Sequence, residues 1–306
     1  VPREDLEVGV DGATLAATLS TPSDRARAPA VVAIQGASSG TRDDPLQEHL
    51  RGLLPGAGVA VLSFDRRGEG ASTGQASTSF ARRAADAAAV VAALRDHRAI
   101  DPERVGLWGF SEGGWIVPMV ALADRRVAFL TLISTAGVSP ERQMAYATAR
   151  VLRTRGFDDR TVRRVSALRR RLDDAYRRRD QRSMIEEVDA VRDEPWFDDA
   201  YLPDPALPED DAWADVLDLD VAAIVARLDV PVLLTYGEDD RWMPIAESLD
   251  AWRGAYRGPS LEVVRIAGTG HTPVHPEDPD DLAERGPIAA EYERALLSFV
   301  ARVDRR

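Results

Sequence analysis

The chain holds no cysteine, no lysine and no asparagine. Without cysteine there are no disulfides, no thiolate nucleophile and no cysteine-ligated metal site. Without lysine, Schiff-base chemistry and a Ser-Lys dyad are excluded, and every basic residue is arginine. Histidine is scarce too, with four in 306 residues, so imidazole chemistry has few candidates. No apolar run reaches the length of a membrane span and no signal-peptide pattern opens the sequence, which favours a cytoplasmic protein. A formal charge of -12 argues against nucleic acid or an anionic membrane as the main partner.

What is present describes an ordinary globular protein, with 44% hydrophobic and 29% charged residues. At this length the chain can bury a large core, either as one α/β domain with an insertion or as two domains. Residues 5–10 and 13–20 read as a hairpin about Asp11-Gly12. Short apolar runs at 30–34, 59–64, 127–134 and 230–236, and a last strand at 260–266, then alternate with helical patterns at 44–56, 79–97 and 245–256. A closing helix is expected over 281–303. Continuous apolar strands separated by helices imply a mostly parallel sheet covered on both faces.

The alternation lapses between residues 139 and 220. That stretch is polar and helical in pattern, with arginine crowding its first half and acids its second. We read it as a helical insertion whose halves attract each other and whose outer faces are solvated. Trp196, Phe197, Tyr201 and Trp213 within it either dock it on the core or line an acyl site.

The most informative stretch is Arg104 to Ala123. An apolar strand containing Val105, Leu107 and Trp108 runs into Gly109-Phe110-Ser111-Glu112-Gly113, and a helical pattern follows. Strand, tight turn and helix with serine at the apex is the context that gives G-x-S-x-G chemical meaning. Glycines flank the serine because a side chain there would collide with the reversed backbone. The turn exposes the hydroxyl beside a helix N-terminus.

A serine needs an imidazole to take its proton, and the imidazole needs a carboxylate to orient it. His49 and His97 fall in helical stretches and His275 in a loop, whereas His271 ends the last strand behind Gly270. His271 is therefore the expected base. Of the neighbouring acids Asp239 and Asp240, the turn Gly237-x-x-Asp240 favours the second. The oxyanion donors should be the backbone N–H of Glu112 and one from the small-residue loop after the third strand, taken as Ala37. Phe110, Gln35 and Trp242 are expected at the substrate pocket. No metal or organic cofactor is required by this set.

With these residues laid out, the chain resembles the α/β-hydrolase family, and within it the bacterial serine carboxylesterases related to prolyl-oligopeptidase-type hydrolases. The resemblance rests on Asp65-x-Arg67-Gly68-x-Gly70-x-Ser72, on Gly109 to Gly114 with Pro118 beyond, on Gly237-x-x-Asp240 and on Gly270-His271. It covers about 1–138 and 221–306. It implies an eight-stranded core with a helical cap at 139–220, and cleavage of a small-molecule ester (or thioester) through an acyl-enzyme. The Asp65 to Ser72 loop is expected to support the site structurally. Two places depart from the family: Phe110 and Gln35 stand where members often carry histidine. A peptidase or amidase, a cofactor-free perhydrolase and a non-catalytic binding protein are the alternatives. Dehalogenases and epoxide hydrolases of this fold use aspartate where Ser111 stands.

Overall fold

A computed structural model describes residues 1–205, 212–278 and 284–303. Strand β1 (Arg3–Val10) turns at Asp11-Gly12 into β2 (Ala13–Ser20), pairing antiparallel from Arg3↔Ser20 to Val10↔Ala13. Next come β3 (Ala28–Ile34), α1 (Pro45–Leu53), β4 (Ala60–Phe64), α2 (Phe80–Arg95), β5 (Ile100–Phe110), α3 (Gly113–Ala123) and β6 (Leu130–Ile133). The helices α4 (Pro140–Thr154), α5 (Asp159–Arg177), α6 (Gln181–Asp189), α7 (Trp213–Val216) and α8 (Val221–Val225) lead to β7 (Val232–Gly237). The described chain ends with α9 (Ile245–Ala255), β8 (Leu261–Ile266) and α10 (Ala290–Val303).

The eight strands form one sheet in the order β1-β2-β4-β3-β5-β6-β7-β8, and all pairs from β4 to β8 are parallel. Every residue of β3 is buried, and its side chains divide by the two-residue period of a strand. Ala30, Val32 and Ile34 join the apolar cluster under α2, α3, α8 and α9. Val31 and Ala33 join the cluster under α1 and α10. A strand with two covered faces has no use for polar alternation, which is why these runs are continuously apolar.

The helices between β6 and β7 hold a third apolar cluster of their own, centred on Leu152, Val165, Leu168, Leu172, Met184 and Trp196. Their opposite charges meet on the surface, in pairs such as Arg164–Glu194, Arg171–Glu187 and Arg177–Asp218. Serine and aspartate cap them: Ser139, Asp158 and Asp180 each accept from a backbone N–H in the first turn. Glu209 to Asp211 of the acidic half, and the side chain of Trp213, lie outside the described residues.

One element differs from expectation. The closing helix begins at Ala290, not residue 281; residues 279–283 are outside the described set. Pro287 and the antiparallel bridge Val274↔Ile288 keep the preceding segment extended, because that backbone is already paired with another strand-like segment.

Candidate active site

The carboxyl ends of β5, β7 and β8 converge, as expected for reactive groups in a parallel sheet. After β5 the chain reverses through Ser111, whose φ of 52° lies in the left-handed region. The reversal is tight: a Cβ on Gly113 would stand 2.6 Å from the Ile34 carbonyl oxygen, so no larger residue fits. Helix α3 starts at that glycine, leaving the serine at its N-terminus.

The Ser111 hydroxyl lies 2.9 Å from His271 Nε2, and His271 Nδ1 lies 3.0 Å from Asp240 Oδ2. Asp240 is buried, and its other oxygen accepts from the N–H groups of Trp242 at 2.7 Å and Met243 at 3.1 Å. Asp240, rather than Asp239, is thus the carboxylate that meets the imidazole. Burial of the His271 ring opposes its charge. The charge and hydrogen bond of Asp240, helped by Glu284, outweigh that and hold its pKa above the usual imidazole value. His49, His97 and His275 lie elsewhere, each beside a glutamate: Glu293, Glu4 and Glu291 respectively.

A cavity of about 600 Å³ opens over Ser111, lined by Ala37, Phe110, Glu112, Trp115, Met144, Trp242 and Met243 among others. Phe110 stands 5.1 Å from the His271 ring, centre to centre, and Trp242 stands 6.3 Å away. Tyr201, from the segment between α6 and α7, packs edge-on against Trp242 at 4.6 Å. Helix α4 contributes Met144 and Gln143, whose side-chain amide donates to the Trp242 carbonyl at 2.8 Å. Trp196, by contrast, is buried inside the helical cluster.

Gln35 departs from its expected place. It is buried, its amide donates to the Phe64 carbonyl, and it lines a neighbouring cavity of about 330 Å³ rather than the one over Ser111. Ala37 and Glu112 border both cavities. Among the described residues, neither backbone N–H donates a hydrogen bond within the protein. Arg66 braces this loop from behind, donating to the carbonyls of Gly36 at 3.1 Å and Ala37 at 3.3 Å. The Glu112 carboxylate is occupied by Arg83.

The loop after β4 is structural scaffolding for that brace. Asp65 accepts from the Arg42 N–H at 2.7 Å, the Arg42 guanidinium at 2.8 Å and the Ala71 N–H at 2.8 Å. Ser72 donates to the Asp65 carbonyl at 2.8 Å and accepts from the Ala16 N–H at 2.9 Å. Arg67 forms a two-pronged pair with Asp86 of α2, at 2.9 and 2.6 Å.

Two contacts of His271 were not legible in the sequence. Its backbone N–H donates to Glu284 Oε1 at 2.8 Å, and its carbonyl accepts from Ser134 Oγ at 2.7 Å. Neither residue belongs to a recognisable motif, and Glu284 fell inside the helix expected over 281–303.

Among solved structures, the ferulic-acid-bound esterase Est1E from Butyrivibrio proteoclasticus is similar, with a TM-score of 0.64 and 19% identity over 98% of this chain and 100% of that one. The α/β hydrolase GrgF from Penicillium sp. sh18 gives 0.63 and 18%, over 100% of this chain and 99% of that one. A Pyrococcus furiosus esterase gives 0.61 and 15%, over 99% and 91%. At such identities the likeness establishes the fold, that of the α/β hydrolases. No curated protein sequence matches the chain. Among the described residues no helix is long and apolar enough to cross a membrane. The family model of the X-Pro dipeptidyl-peptidases (S15 family) matches residues 11–272, most of the sequence and every residue of the serine, aspartate and histidine cluster. The chain therefore belongs to the S15 peptidase family, a hydrolase family of the α/β-hydrolase clan.

Proposed function

We propose that this protein is a serine hydrolase that cleaves neutral carboxylic esters of small molecules through an acyl-enzyme. The observation that carries the reading is the unbroken relay from Ser111 through His271 to Asp240, at 2.9 and 3.0 Å. Ser111 Oγ attacks the ester carbonyl while His271 Nε2 takes its proton, and Asp240 stabilises the imidazolium that forms. The carbonyl oxygen, now negative, is held by the N–H groups of Ala37 and Glu112, the second at the start of α3 where the helix dipole adds to it. His271 returns the proton to the departing alcohol. It then takes a proton from water, which attacks the acyl carbon, and passes that proton to Ser111 Oγ as the acyl–oxygen bond breaks and the acid leaves. Residues 139–220 act as a cap on a core of 1–138 and 221–306, since Gln143, Met144 and Tyr201 meet the cavity or its Trp242 wall. No cofactor enters these steps.

Family membership favours a second reading, a peptidase that removes N-terminal dipeptides. Such an enzyme must hold the substrate's free ammonium, for which an unengaged carboxylate is the natural counter-ion. Among the described residues the carboxylates lining the cavity are Glu112 and Glu284, and both are spoken for. Arg83 takes the first; the backbone N–H groups of His271 and Thr272 take the second. Of the remaining walls, Phe110, Trp115, Trp242, Met144 and Met243 are apolar and Ser38, Gln143 and Thr272 are uncharged, which suits a neutral group.

Fluorophosphonate labelling with mapping of the modified residue tests the mechanism: Ser111 should carry the label, and labelling elsewhere or nowhere overturns it. A paired assay of aryl esters against X-Pro anilides tests the substrate class. Esters should be turned over faster; the reverse preference would make the protein a peptidase.

A further inference from the structure

Among the described residues, five non-glycine residues have positive φ; Ser111 and Glu284 line this cavity, and Ser134 and Tyr201 touch residues that line it. Ser111 is the apex of the turn, and Tyr201 (48°) packs on Trp242. Ser134 (48°) and Glu284 (48°) are the two residues that grip the backbone of His271. Strain of this kind persists only where the surroundings impose it, and it collects at functional sites.

Glu284 commits both carboxylate oxygens to two consecutive residues. Oε1 accepts from the His271 N–H at 2.8 Å, while Oε2 accepts from the Thr272 N–H at 2.6 Å and the Thr272 hydroxyl at 2.9 Å. The approach is possible because residue 270 is glycine: a Cβ there would stand 1.9 Å from Glu284 Oε1. On the far side Ser134 Oγ donates to the His271 carbonyl at 2.7 Å. Both backbone groups of the base are therefore held, from two different parts of the fold, while Asp240 holds its ring.

We propose that Glu284 is a positioning residue, which clamps the His271 backbone against Ser134 so that the imidazole keeps its reach to Ser111. The inference rests on the hydrolase reading above. His271 sits on a loop beyond the end of β8, and a base displaced by about 1 Å loses roughly 10²-fold in rate. A carboxylate accepting several hydrogen bonds is a stronger fixture than neutral partners would be.

Charge separates this role from simple loop closure. The groups facing His271 are Asp240 from the turn after β7, Glu284 from the segment before α10 and the Ser111 hydroxyl from the turn after β5. Glu112 at the start of α3 is neutralised by Arg83, and Tyr146 of α4 stands near Asp240. Glu284→Gln thus removes one of two anions that favour the imidazolium, and it sets an amide group against donors. Ser134→Ala removes the opposite jaw and changes no charge.

The test compares these two variants with the parent chain, by pH-dependent kinetics on an aryl ester and by NMR titration of the His271 ring. Both variants should lose about ten- to a hundredfold in kcat with little change in KM. The His271 titration should move to lower pH in Glu284→Gln and stay in place in Ser134→Ala. Full kcat in Glu284→Gln, a loss confined to KM, or an unmoved titration would each overturn the proposal. If Glu284→Gln does not fold, an undiminished kcat in Ser134→Ala overturns the clamp. Failure of Ser111 to take fluorophosphonate in the parent chain is the separate outcome that removes the hydrolase reading, and the positioning role with it.

Discussion

The helices between β6 and β7 and the loops behind Ser111 use the same chemistry, arginine against carboxylate, in opposite settings. On the helices most pairs are exposed, the buried Arg169–Asp173 pair of α5 apart: Arg171 and Glu187, 2.6 Å apart, keep 56% and 33% of their side-chain surface open. Behind the site they are buried: Arg67 and Asp86, also 2.6 Å apart, keep 9% each. Exposed pairs gain little because water and salt screen them and two long side chains must be ordered. Buried pairs have lost their hydration, so each partner depends on the other, and their geometry is correspondingly definite. The helical segment is thus held mainly by its apolar cluster, and apart from buried Arg169 and Asp173 its charges decorate the surface. The loops around the serine are held by charge itself.

Substituting carboxylates and arginines in each setting puts that contrast to the test. The largest effect belongs to Asp240→Asn, which removes the buried charge behind the imidazole. It should cost roughly 10⁴-fold in kcat while circular dichroism shows an intact fold. Activity within tenfold of the parent would mean that the relay is not used. Next comes Arg67→Ala, which strands Asp86 in the interior. About 3–5 kcal/mol of stability should be lost in denaturant unfolding. A loss like that of an exposed pair would erase the distinction drawn above.

The pH dependence follows in size. Because the His271 pKa lies above the ordinary value of about 6.5, the base form appears only at higher pH. The acid limb of kcat/KM should therefore fall above that value. Stability has the opposite sign. The attraction between imidazolium and Asp240 is fully present below the unfolded pKa and is lost as pH rises through the raised folded one. Melting temperatures of the parent and of His271→Gln should accordingly converge as pH rises through that range. A rate profile that stayed flat from acid to mildly alkaline pH would contradict both. The smallest effect is that of Arg171→Ala, about 0–1 kcal/mol, and added salt should shrink it further.

Much of this was legible before the structure. The strands around 30–34 and 59–64 announced themselves as continuous apolar runs because they are covered on both faces. The reversal at Ser111 was legible because glycine on either side is a steric demand of that local backbone. The position of Gln35 was not, since residues of one short loop divide between two cavities, Gln35 on one, Ser38 on the other and Ala37 on both. The start of α10 was legible only in part: Gly286-Pro287 interrupts the helix expected over 281–303, while the bridge from Ile288 to Val274 that claims this backbone is long-range.

The sequence by itself determined the layered α/β architecture, the turn that lifts Ser111 and the order in which serine, acid and histidine follow one another. Each of these is set by residues within a few positions, through periodicity or local sterics. The Gly237-x-x-Asp240 turn favoured Asp240 over Asp239, and only the tertiary structure decided that its carboxylate meets the imidazole. The tertiary structure also decided that Ser134 and Glu284 hold His271 from either side. Those contacts join residues 31, 137 and 13 positions from His271, and their partners are chosen by how the sheet brings loop ends together, which no local spacing encodes.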